Sequence, residues 1–106
     1  MAGIAFIVLA AEANSATHRT VLTTPAYDLT IVAVPDYASA VVTAQELYET
    51  GIETIELCGG FGHLGTAEVV RAVPDAHVGV VRFDGHPGLA GESGDAHFDG
   101  RRTSGD

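Results

Sequence analysis

Apolar residues fall along this chain in blocks, and the spacing within each block predicts an element. Ile4-Ala5-Phe6-Ile7-Val8-Leu9-Ala10 is apolar without interruption. A run of that length reads as a strand covered on both faces, the usual state of a parallel sheet. Leu29 to Val34 and Ile52 to Cys58 read the same way, and His77 to Phe83 gives a fourth strand. Between the second and third strands the period changes. Tyr37, Val41, Ala44 and Tyr48 recur at helical spacing, with Ala40 and Leu47 widening the stripe. Asp36 supplies an N-cap after Pro35, and Gly51 a C-terminal stop. A further helix is expected from His63 or Leu64 to Val73, stopped by Pro74-Asp75. A weaker, threonine-rich one is expected from Asn14 or Ser15 to about Leu22, ended by Pro25.

Strand and helix then alternate as βαβαβαβ, which predicts one small α/β domain with a four-stranded all-parallel sheet. A flavodoxin-like open sheet, order 2-1-3-4 with helices on both faces, is favoured. A half-barrel of order 1-2-3-4, closed by a second copy, is the alternative. Either leaves an exposed edge strand, so a homo-oligomer is expected. Residues 1–98 form the domain in this reading, with 99–106 as a mobile tail.

The 106 residues are enough for one such domain, and 46% of them are hydrophobic, which is enough for a core. The chain contains no Lys, and its net charge is -9. Nucleic acid and anionic membranes are therefore unexpected partners, because both are bound through Lys and Arg. Cys58 is the single cysteine, so no internal disulfide forms and a reducing cytoplasm is the expected location. Ile4 to Ala13 resembles the apolar part of a signal peptide, but no Lys or Arg precedes Arg19, so this segment is read as the first strand.

Most residues able to do chemistry follow the third and fourth strands. Gly59-Gly60-Phe61-Gly62 lies at a strand-to-helix turn, where backbone amides and a helix N-terminus suit a carboxylate or phosphate. It matches neither a dinucleotide fingerprint nor a P-loop, and the bare-turn reading stays open. Glu56 interrupts an apolar strand. A buried carboxylate there would suit acid–base work, and the competing reading is an ion pair with Arg82. His63 and His86 follow different strands and are expected to meet over the sheet, with Asp84 orienting one of them. Cys58, ahead of the glycines, is a nucleophile candidate against the plainer reading of a small buried residue. Glu56, Cys58, His63, Asp84 and His86 lack diagnostic metal-ligand spacing, so no metal is assigned.

The strings Ile55 to His63 and Val78 to Leu89 resemble a family of short bacterial α/β proteins classed as a domain of unknown function. The resemblance runs from the first strand to about Asp95. It implies a single small α/β domain in the bacterial cytoplasm and supplies no reaction.

The expected function is a small cytoplasmic enzyme working by acid–base chemistry, of isomerase, lyase or cyclase type, with no cofactor. Its substrate would be an anionic or carbonyl-bearing small molecule. Glu56 or His63 is the expected base and Asp84 with His86 the acid or its orienter. Arg82 and residues Gly59, Gly60, Phe61 and Gly62 are the expected ligand-binding set. A non-catalytic metabolite-binding module and a structural dimerising domain are the alternatives.

Overall fold

The computed structural model of the chain describes residues 3–83 and 85–100. Strand β1 (Ile4–Leu9) is followed by β2 (Arg19–Thr23), β3 (Asp28–Val34), helix α1 (Tyr37–Glu49), β4 (Thr54–Leu57), α2 (His63–Ala72) and β5 (His77–Val80). A 3-10 turn (Pro87–Leu89) and the short helix α3 (Asp95–Phe98) complete it. The strands form a five-stranded mixed sheet in the order β2-β3-β1-β4-β5. β3, β1, β4 and β5 are mutually parallel, and β2 pairs antiparallel with β3.

This corrects the expectation of a four-stranded all-parallel sheet, and residues 19–23 are where the two part. The weak helix read into residues 14–22 is absent. Its threonine and valine side chains, Thr17, Thr20 and Val21, are β-branched and disfavour a helix. Thr24-Pro25-Ala26-Tyr27 then closes a hairpin. The Thr24 hydroxyl donates to the Tyr27 carbonyl at 2.8 Å and accepts the Ala26 and Tyr27 amides at 3.2 and 3.1 Å.

The expectation of helices on both faces also fails, and the handedness of the connections gives the reason. The step β3 to β4 through α1 and the step β4 to β5 through α2 run the same way across the sheet. Right-handed crossovers in one direction place both helices on one face. The step β1 to β3 runs the other way and would carry a helix to the opposite face, but β2 and its hairpin occupy that connection. The sheet therefore has one covered face and one open face.

The covered face holds the core. Ala5, Ile7, Val32, Val34, Ile55 and Leu57 are fully buried there. They alternate with Ile4, Phe6, Val8, Ile31, Ala33 and Glu56 on the open side, as the two-residue strand period requires. α1 begins at Asp36, whose carboxylate accepts the Ser39 amide at 2.8 Å. Its chain reverses beyond Thr50 at Gly51, which sits at φ +103°. α1 meets α2 where the Tyr37 ring lies against Gly65, and a side chain at position 65 would overlap that ring. Among the described residues, no helix is long and apolar enough to cross a membrane.

Candidate functional site

The carboxyl ends of β4 and β5 and the start of α2 enclose a cleft of about 370 Å³. Its polar lining comes from His63, Thr66, Arg82, His86 and Ser93, and its apolar wall includes Val70 and Phe83. The glycine-rich turn lets the walls approach. A side chain at position 59 would run into the Phe83 ring, and one at position 94 would overlap the Gly60 carbonyl. Thr66 Oγ1 is buried with no hydrogen-bond partner among the described residues.

Of the residues singled out from the sequence, Gly59, Phe61, Gly62, His63, Arg82 and His86 come together around this cleft. Arg82 Nη1 lies 3.1 Å from His63 Nε2 and 3.4 Å from Nδ1. That near-equal spacing is close packing of two flat groups more than one directed hydrogen bond. Among the described residues no carboxylate lies within ion-pair distance of Arg82. The His86 Nδ1 accepts the Gly88 amide at 2.9 Å, so in the neutral ring the proton belongs on Nε2. The ring also packs on Phe83, with centroids 4.8 Å apart.

Three residues fall elsewhere. Glu56 is exposed on the open face, and among the described residues no ion pair joins it to Arg82. Neither the buried carboxylate nor the buried pair expected from the sequence forms, because β4 turns Ile55 and Leu57 toward the helices and leaves Glu56 on the exposed side. Cys58 is half-buried and its Sγ accepts the Leu9 amide at 3.3 Å, away from the cleft lining. Gly60 is buried behind the cleft, its carbonyl 3.5 Å from the Tyr37 hydroxyl. Asp84 lies outside the described residues. Among those described, no three His, Cys, Asp or Glu side chains converge to hold a metal ion.

The start of α2, expected to hold an external anion, holds one of the chain's own carboxylates. Asp95 is buried, and its oxygens accept the Leu64 amide at 3.1 Å and the Gly65 amide at 3.3 Å. They also accept the Tyr37 hydroxyl at 2.8 Å, and that hydroxyl accepts the Gly62 amide at 3.0 Å. Orphan amides and the helix dipole are thereby satisfied from within. Burial raises the pKa of the Tyr37 hydroxyl well above its usual range, and Asp95 adds to the rise. The ring stacks on Phe61 at 5.5 Å and packs against Phe98 at 6.4 Å. Residues 85–99 thus form a strap anchored at Asp95, and Ser93 and Gly94 of that strap form one wall of the cleft.

Sequence reasoning missed Asp95, Ser93 and Tyr37 as site-building residues. Tyr37 looked like packing because its helical spacing is that of a core position. Asp95 lies 31 residues from Leu64, and nothing local marks it as a cap for a distant helix.

Neither a curated protein nor a solved structure gives a match to the chain. The model of the Family of unknown function (DUF6506) matches residues 2–96, nearly the span over which the resemblance was drawn, and the chain belongs to that family.

Proposed function

We propose that the cleft binds a small anionic or carbonyl-bearing molecule and that the protein is an enzyme moving a proton on it, of isomerase, lyase or cyclase type. The observation that carries this reading is the convergence of Arg82, His63 and His86 on one cleft in a chain whose net charge is -9. A guanidinium with no carboxylate partner among the described residues is the natural seat for a ligand carboxylate or phosphate. His86, with Nδ1 engaged by Gly88, offers Nε2–H as an acid or as a donor to a developing oxyanion. His63, within reach of the same ligand, is then the base. Glu56 has no part, since it lies on the other side of the sheet. At about 370 Å³ the cleft is near the lower end of ligand pockets, which fits a metabolite and not a polymer. With Cys58 as the single cysteine, the reading places the protein in a reducing cytoplasm.

The test is a thermal-shift and NMR screen of small carboxylates and phosphates, followed by Arg82→Gln, His63→Gln and His86→Gln on the best binder. Arg82→Gln should weaken binding by tenfold or more, in line with a charge-assisted contact of about 1.5–3 kcal/mol. The histidine variants should bind but lose turnover. Binding with no turnover in the wild type would leave a metabolite-binding module. Binding unchanged in Arg82→Gln would remove the cleft as the site.

A further inference from the structure

Among the described residues no helix lies over the open face of the sheet, and the pattern of that face is uneven. On β2, β3 and β1 it presents Leu22, Leu29, Ile31, Ile4, Phe6 and Val8, in register across the three strands. On β4 and β5 the same rows continue as Thr54, Glu56, His77 and Gly79. Leu22 is 55% exposed, and every residue of β2 is exposed.

We propose that this face is the interface between two copies of the chain, packed sheet to sheet. Area is the first ground. The overlap lies over β2, β3, β1 and β4, and four strands about 4.8 Å apart with residues rising about 3.3 Å outline a patch of roughly 19 by 20 Å. The accessible surface of a pleated patch that size is on the order of 600 Å², what one partner contributes at the lower end of the standard interface size. Charge is the second ground. Glu56 is the one carboxylate among the described strand residues of this face, and the face is otherwise nearly uncharged in a strongly acidic chain. A two-fold axis across the strands would set Glu56 against its twin. An axis along the strands, between β3 and β1, instead sets β1 over the second copy's β3 and β4 over its β2. Glu56 then meets the hydroxyl of the second copy's Thr20, and the apolar strands cover one another. Aligned sheets pack about 10 Å apart with their strands within about 30°. The cleft opens beside α2, so the interface leaves it free.

The experiment is sedimentation velocity of the full chain across a dilution series, with Leu22→Lys and Ile31→Lys on the face and Val42→Lys as an exposed control on α1. A dimer is expected whose Kd rises at least ~100-fold in each face variant and is unchanged in the control. Leu22 is exposed enough to be replaced without unfolding the protomer, which circular dichroism verifies. Thr20→Lys should tighten the dimer, and adding Glu56→Gln should cancel the gain. A monomeric wild type, including one that binds a different protein through this face, would overturn the proposal. So would a dimer indifferent to Leu22→Lys and Ile31→Lys, or one that Thr20→Lys fails to tighten.

Discussion

Replacing Asp95 by alanine removes the carboxylate that satisfies the Leu64 and Gly65 amides and the Tyr37 hydroxyl. Tyr37 is 1% exposed, so its hydroxyl cannot turn to bulk water. Hydrogen bonds to a charged group contribute about 1.5–3 kcal/mol, and orphaning a buried donor costs about 1–3 kcal/mol. Loss of the interaction with the α2 dipole adds up to ~2 kcal/mol. Water entering the vacated space offsets part of this, which leaves an expected destabilisation of about 3 kcal/mol. In a domain near 100 residues, 1 kcal/mol shifts Tm by roughly 4–8 °C, so a fall of about 12–24 °C is expected. Asp95→Asn keeps an acceptor but loses the charge, and should cost about half as much. Urea denaturation followed by circular dichroism measures both variants. A double-mutant cycle with Tyr37→Phe should return a coupling above about 1 kcal/mol, since the two side chains touch. A loss below 1 kcal/mol for Asp95→Ala, with no coupling to Tyr37, would show that the strap is not docked on α2 in solution and would falsify the account of that wall of the cleft.

Other outcomes follow from the same contacts. Gly65→Ala forces a methyl into the Tyr37 ring and should cost about 1–3 kcal/mol by overpacking, read as a lower urea midpoint at unchanged slope. Gly62→Ala runs into the Asp95 carboxylate, so it should raise amide exchange across residues 85–99 while the β1 and β3 amides stay protected. The Tyr37 hydroxyl holds its proton more tightly folded than unfolded. Its contribution is therefore complete below the unfolded value of about 10 and is lost as pH rises above it. Stability of the wild type should fall more steeply above pH ~10 than that of Tyr37→Phe, and parallel curves would refute this. Ile7→Ala, at a fully buried position on the covered face, should cost about 2–5 kcal/mol without altering ligand affinity in the cleft, as equilibrium unfolding and titration would show.

Hydrophobic period alone located β1, β3, β4, β5, α1 and α2, because each buries a stripe or a run that its own neighbours in sequence define. It also placed the cleft, since glycines after an apolar run mark where a strand ends and a backbone can approach a ligand. For Glu56 it assigned the correct alternation, opposite Ile55 and Leu57, but alternation does not say which face is covered. That was decided by the connection from β1 to β3, where residues 19–23 pair with β3 as an antiparallel edge instead of crossing as a helix. A five-residue threonine-rich run has too little period to fix its own state, and a pairing partner settles it. Asp95 was legible to no local rule. A helix start will accept any carboxylate that reaches it, and which one arrives depends on how the whole chain closes, with 31 residues between donor and acceptor in this case.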